Sequence, residues 1–222
     1  MKTYASPLGD IYLGSVQNGL ASVIEKLKPS SLLVLADSNT LKYCIPVLEP
    51  VIGTNQCIVI PAGEQYKTLS SCEHIWASFI GRGPDRSALV LNVGGGMICD
   101  LGVFASSCFQ RGIRFGHIPT SLLSMADASI GGKTGINFDG YKNYIGHFEA
   151  PSFIWIDPIF LDTLPLQETK DGIAEIIKHA IIGSRTLWDL LSGVDTLSSI
   201  RWPGILEENV LIKKRIVEAD PH

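Results

Sequence analysis

The chain has 222 residues, 45% of them hydrophobic and 18% charged, with a formal net charge of −4. That length holds one large domain, or one domain and the beginning of another. The acidic balance offers no electrostatic case for a nucleic acid or an anionic membrane surface, and no apolar run reaches the roughly 20 residues of a membrane span. The start, Met1 to Pro7, lacks the apolar core of a secretory signal. Cys44, Cys57, Cys72, Cys99 and Cys108 form no Cys-x-x-Cys pair. An odd, unpatterned set predicts small buried residues in a reducing, cytoplasmic setting.

The first strong strand signal covers residues 31–36 and is followed by a predicted turn at Asp37, Ser38 and Asn39. A second strand, 57–60, ends at Pro61. Residues 68–80 have helical spacing, with Leu69, Cys72, Ile75, Trp76 and Phe79 on one side. The third strand, 88–93, runs straight into Gly94, Gly95 and Gly96, and a helix pattern follows over 97–109. Residues 114–118 and 153–156 are further strand candidates. Unbroken apolar strands separated by helices predict an α/β fold with a mostly parallel sheet, covered on both faces. Ligands of such sheets gather at the carboxyl ends of the strands.

The character changes after Asp157-Pro158 and Leu164-Pro165. Residues 167–183 read as a helix with Ile173, Ile176, Ile177, Ala180 and Ile181 on its apolar side. Residues 187–191 and 206–217 also read as helical, and no strand signal appears beyond about residue 157. The division expected is an α/β domain over residues 1–165 and the beginning of an all-helical domain over 166–222. So short a helical part predicts an incomplete chain.

Three glycines between a strand and a helix let backbone N–H groups approach a ligand at a positive helix terminus, which suits a pyrophosphate. They lack the usual dinucleotide spacing, so a plain loop stays open as a reading. Asp100 falls in the first turn of that helix, where the dipole alone would favour an acid. Arg111 and Arg114 flank Gly112; each suits bidentate phosphate binding or is a solvated charge at a strand start. Gly131 to Thr134 looks like the end of a phosphate loop, but that motif's first glycine would fall on Asp127. Lys133 is therefore not its lysine, though it remains a candidate anion contact. Lys142 and Asn143, followed by Tyr144, Ile145 and Gly146, read as a turn. Glu175 lies three residues before Lys178 and four before His179, on one helix face. That spacing could seed a metal site, but alone it favours a surface ion pair beside a solvated histidine. His74, His117, His147 and His222 form no cluster in sequence.

Taken in order, several segments resemble the 3-dehydroquinate synthases: Gly63 to Lys67, Gly94 to Asp100, Gln110 to Phe115, Pro119 to Leu123, Asp127 to Thr134, Lys142-Asn143 with Ile145-Gly146, Thr163 to Pro165, and Ala174 to Lys178. The resemblance implies a Rossmann-like NAD-binding domain followed by a helical domain that binds a divalent metal, zinc or cobalt. It implies a homodimer acting on a sugar phosphate, 3-deoxy-D-arabino-heptulosonate 7-phosphate. The activity implied is a carbon–oxygen lyase that eliminates phosphate and cyclises the product to 3-dehydroquinate, the second step of the shikimate pathway.

Carried over by motif, Asp37, Glu64 and Lys67 would meet the adenosine side of NAD, and Gly95, Gly96 and Asp100 its pyrophosphate. Thr120, Ser121, Lys142 and Thr163 would complete the cofactor site. Asp127, Lys133, Asn143 and Lys178 would contact substrate, Arg111 its phosphate across the dimer interface, and Glu175 the metal. Ser121 stands where the family usually has threonine, and Tyr141 where glycine is common. The family's two histidine ligands belong to a later stretch, which the sequence does not reach; His222 is not expected to replace them. This implies little or no activity for these residues alone. Two alternatives share the motifs: a related sugar-phosphate cyclase making an inosose or a valiolone, and a non-catalytic NAD-binding relative.

Overall fold

Residues without polar interruption must be covered on both sides, and that requirement organises the sheet. The computed structural model describes residues 1–53 and 57–220. Its strands are β1 (Lys2–Tyr4), β2 (Asp10–Leu13), β3 (Leu32–Asp37), β4 (Ile58–Ile60), β5 (Leu89–Gly94), β6 (Arg114–Pro119), β7 (Lys133–Phe138), β8 (Tyr141–Phe148) and β9 (Phe153–Ile156). Seven of them form one sheet in the order β1-β2-β9-β6-β5-β3-β4, parallel except for β1 against β2. β7 and β8 form a separate antiparallel hairpin. All six residues of β5, an interior strand between β6 and β3, are buried.

The helices are α1 (Leu20–Leu27), α2 (Ser38–Tyr43), α3 (Ile45–Ile52), α4 (Leu69–Arg82), α5 (Gly96–Cys108), α6 (Leu166–Gly183), α7 (Arg185–Ser192) and α8 (Trp202–Ala219). Strand alternation sorts the core into two layers. Leu33, Leu35 and Val90 pack with Ile75 and Phe79 of α4 and with Leu101 of α5. Val34, Ala36 and Leu91 face the opposite cluster, which includes Leu20 of α1, Leu48 of α3, Ile176 of α6 and Leu206 of α8. The α/β fold with a mostly parallel sheet is thus as expected. Among the described residues no helix is long and apolar enough to cross a membrane.

Three local expectations need correction. Asp37 opens α2 rather than a turn: its carboxylate accepts from the Asn39 and Thr40 N–H groups, both at 2.8 Å, and Thr40 Oγ1 accepts the Asp37 N–H at 2.9 Å. The residue types that favour turns also favour helix N-caps, so the motif was ambiguous. Residues 142–146 lie inside β8; the reversal falls at Asp139 and Gly140, with φ of 49° and 81°. On α6 the apolar side is rotated. Gly172, Ile176, His179 and Ala180 are buried, whereas Ile181 is 68% exposed. The early segments β1, β2, α1 and α3 were not anticipated.

The seat of α6 explains its rotation. A methyl at Gly172 would stand 2.6 Å from Leu122 Cβ and 2.6 Å from Leu123 N, so the helix rests directly on the chain leaving β6. A close-packed contact of this kind cannot absorb an added carbon without displacement. Gly172→Ala is therefore expected to destabilise the protein by roughly 1–3 kcal/mol despite alanine's better helix propensity. Urea unfolding checks this; an unchanged or raised midpoint would contradict the close seating of α6.

Candidate functional site

β3, β5 and β6 are neighbours and parallel, so their carboxyl ends emerge together. Asp37 ends β3, Gly94 ends β5, and Thr120 and Ser121 follow β6. α5 begins at Gly96 with Gly95 as its N-cap, and no side chain caps that end. The first N–H groups of α5 and its positive dipole end are thus left for an anionic ligand. A Cβ at Gly95 would come within 3.2 Å of Ser121 Oγ, and one at Gly96 within 3.4 Å of Ala128 Cβ. The segment 120–128 therefore forms the opposite wall of the glycine turn. It is anchored there by the Thr120 N–H, which donates to Gly94 O at 2.9 Å. Ser121 is spent on this wall: its hydroxyl accepts the Ser124 N–H at 3.2 Å and lies 3.0 Å from Ser124 Oγ.

A polar chain runs beside this cradle. Lys67 is 3% exposed; its ammonium pairs with Asp100, which falls just past the first turn of α5 and not in it as expected, and donates to Asn143 Oδ1 on β8. Asn143 sits at φ 53°, a left-handed value that asparagine tolerates better than most residues. Its N–H donates to Asn137 Oδ1 at 3.0 Å, and Asn137 Nδ2 donates to Glu64 Oε1 at 3.0 Å. The Asn137 N–H donates to Lys67 O at 2.8 Å. Glu64, Lys67, Asp100 and Asn143 therefore form one network, tying the hairpin to α5. Burial pushes the Asp100 carboxyl up, and the Lys67 ammonium opposes that shift.

Other candidates lie apart. Lys133 is exposed, with its ammonium 6.0 Å from the centre of the Phe148 ring. Lys142 and Thr163 are exposed. Arg111 is exposed at φ 64°, beside Gly112 at φ 111°. Among the described residues no side-chain hydrogen bond or ion pair joins these four to the network. Arg114 instead donates to Leu27 O at 2.7 Å and also to Ser87 O, a structural role.

The second cluster meets on the same 120–128 segment. Asp127 lies in a π-helical turn, Ser124–Ala128, and Glu175 and His179 lie on α6. Donor atoms of all three lie within 4.8 Å of one another. This overturns the expectation of a solvated histidine: His179 is 2% exposed. Its Nδ1 is 2.8 Å from Asn209 Oδ1, and its Nε2 is 3.4 Å from Asp127 Oδ1. Lys213 donates to Asp127 Oδ1 at 2.7 Å. The Lys178 ammonium forms an ion pair with Glu175 Oε2. Burial pushes the Asp127 carboxyl up, but hydrogen bonds from His179 and Lys213, with the charges of Lys213 and Lys178, outweigh it. The group is held well below the usual carboxylate range.

Two carboxylates and an imidazole with donor atoms so close together fit a divalent cation such as zinc or cobalt. His179, Asn209 and Lys213 were missed as members of this site. The only local signal was the four-residue spacing of Glu175 and His179; Lys213 is 86 residues from Asp127. His222 lies outside the described residues.

Lys67 and Asp100 give a direct test. Removing one partner of a mostly buried pair leaves the other charge uncompensated. Lys67→Met is expected to cost about 3 kcal/mol in urea unfolding, and Lys67→Met with Asp100→Asn distinctly less. Equal losses in the single and double variants would show that the pair is not coupled.

A family model for the 3-dehydroquinate synthase N-terminal region matches residues 57–171. A 3-dehydroquinate synthase from Parabacteroides distasonis is 39% identical over 210 residues, covering 93% of this chain and 60% of that protein. One from Pyrococcus abyssi is 40% identical over 205 residues, covering 91% and 61%. The chain thus spans about three-fifths of the length of these relatives. Among solved structures, 2-epi-5-epi-valiolone synthase from Streptomyces hygroscopicus, with NAD+ and Zn2+ bound, superposes with a TM-score of 0.85. It is 28% identical, and the match covers 99% of this chain and 63% of that one.

Proposed function

The chain belongs to the 3-dehydroquinate synthase family, and we propose that it supplies the NAD-binding part of such an enzyme, residues 1–165, with the first helices of a cation-binding part, 166–222. One observation carries this reading. The uncapped glycine turn packs against Ser121 and Ala128, and Asp127 of the Asp127–Glu175–His179 cluster belongs to the same segment, 120–128. A hydride carrier and a cation held next to one segment suit a reaction that needs both.

In this reading Gly95 and Gly96, with the N-terminus of α5, take the cofactor pyrophosphate. Asp37, Glu64 and Lys67 serve its adenosine side, and Thr120, Ser121, Lys142 and Thr163 close the site. Asp100 acts through Lys67, whose charge it balances. Glu175, with Asp127 and His179 next to it, forms this chain's part of the zinc or cobalt site, and Asp127 also faces the substrate. Bound NAD supplies reversible hydride transfer, and the cation supplies positive charge for a developing oxyanion. Lys133, Lys178 and Asn143 orient the sugar phosphate and offset its charge. Arg111 suits bidentate contact with phosphate from the second subunit of a homodimer. The whole-protein activity is phosphate-eliminating cyclisation of 3-deoxy-D-arabino-heptulosonate 7-phosphate to 3-dehydroquinate, a carbon–oxygen lyase reaction of the shikimate pathway in the cytoplasm. Its partners are a small sugar phosphate and a second copy of the chain, with no nucleic acid or membrane. The likeness to a valiolone synthase favours one second reading, a sibling cyclase with another sugar phosphate.

Titration with NAD tests the cofactor half. The chain is expected to bind NAD saturably, and Gly95→Val, which fills the cradle, to weaken binding at least roughly ten-fold while leaving the protein folded. No saturable binding, or equal binding by the variant, would refute the assignment.

A further inference from the structure

The sheet under the glycine turn buries polar groups that neither the nucleotide cradle nor the cation cluster uses. Asn92 lies two residues before Gly94 on β5, and His117 two residues before Pro119 on β6. They are register partners on neighbouring parallel strands, so their side chains leave the same face of the sheet. That face is covered by α5: a Cβ at Gly102 would overlap Asn92 Oδ1 and Cγ. Asn92 is 0% exposed and His117 3%. Asn92 Nδ2 and Oδ1 and His117 Nδ1 have no hydrogen-bond partner among the described residues. The surroundings are apolar. Val90, Leu101, Ala105 and Phe115 belong to the same core cluster, and the Phe115 ring centre is 5.5 Å from that of His117. Burial keeps the imidazole neutral, pushing its pKa down to about 3.

We propose that one internal water molecule is bound between Asn92 and His117, beneath α5, as a permanent part of the contact between sheet and helix. Each of these groups gave up water on folding, and leaving it unpaired is costly. Buried waters occupy such places when two or more polar atoms converge on them. The spacing also suits one molecule. Neighbouring strands stand about 4.8 Å apart, and two hydrogen bonds through a single water span about 5 Å. Water is the ligand whose chemistry fits, because it is small, neutral and both donor and acceptor. It can donate to Asn92 Oδ1 or accept from Nδ2, and it can meet Nδ1 of a neutral imidazole in either tautomer. A cation would find no carboxylate in this pair, and an anion would find no positive charge. The bridge would join β5 to β6 just below the cradle, where the next link between the two strand ends is the Thr120 N–H to Gly94 O bond. It would therefore stiffen the floor from which the glycine turn rises. The proposal stands apart from the NAD and cation readings.

The test uses the whole chain, without cofactor or metal. A high-resolution crystal structure is expected to show one water about 3 Å from an amide atom of Asn92 and from His117 Nδ1. In solution, water-selective Overhauser spectra are expected to show transfer from a long-lived water to the Asn92 amide hydrogens. Asn92→Leu keeps the branched shape but strands the imidazole, and is expected to lower the urea midpoint. Adding His117→Leu is expected to recover part of that loss, because no polar atom of the pair is then left unpaired. Should Asn92→Leu fail to fold, the wild-type crystal and spectra still decide. Asn92 and His117 bonded directly to each other, or packed dry with no density between them, would overturn the proposal. So would losses in the two variants that simply add, since a shared water makes them interdependent.

Discussion

The close approach of α6 to the chain leaving β6, at Gly172, is the constraint on which the site depends. Without a side chain at that position the helix settles against Leu122 and Leu123, and its buried line becomes Gly172, Ile176, His179 and Ala180. Ile176 and Ala180 then join Leu122, Met125 and Ala126 in one apolar cluster with the sheet. The same rotation turns Glu175 and His179 toward Asp127. Packing thus decides which polar residues of α6 meet the turn, and the polar contacts refine a position that apolar burial has set.

Charge follows the same geometry. Lys67 and Asp100 neutralise each other beside the N-terminus of α5, so that helix end keeps its own positive character without a free ammonium competing there. On the same wall, Asp127 is surrounded by Lys213, Lys178 and His179 and stays ionised. A carboxylate held charged, next to a second carboxylate, is a place where positive charge is stabilising. The wall between these two regions is built from serine hydroxyls and backbone bonds, which fix its shape without adding net charge.

Much of the fold could be read in the chain because buried parallel strands leave an unmistakable trace. Residues 88–93 run apolar into three glycines, and β5 and α5 lie where that pattern predicts. The sequence also singled out Glu175, Asp127 and Lys67. Contacts between segments were harder to see. Helical spacing showed that Glu175 and His179 share a face, but not that this face is turned inward; five apolar residues around α6 left its direction ambiguous. Asn209 and Lys213 carried no signal at all, because their partners are 30 to 86 residues away. The misread turns have a similar origin. Asp37 and Asn143 are residue types at home in turns, but a capping bond recruits the first, and a left-handed step within a strand the second.

The central claim is that α6, α8 and the 124–128 turn build one divalent-cation site next to a nucleotide cradle. Anomalous diffraction from crystals of the protein grown with Zn2+ tests it most directly, recorded on both sides of the zinc edge. The account predicts a single strong peak within bonding distance of Asp127, Glu175 and His179 Nε2. Full zinc occupancy elsewhere, with these three side chains bonded only to protein or water, would contradict it.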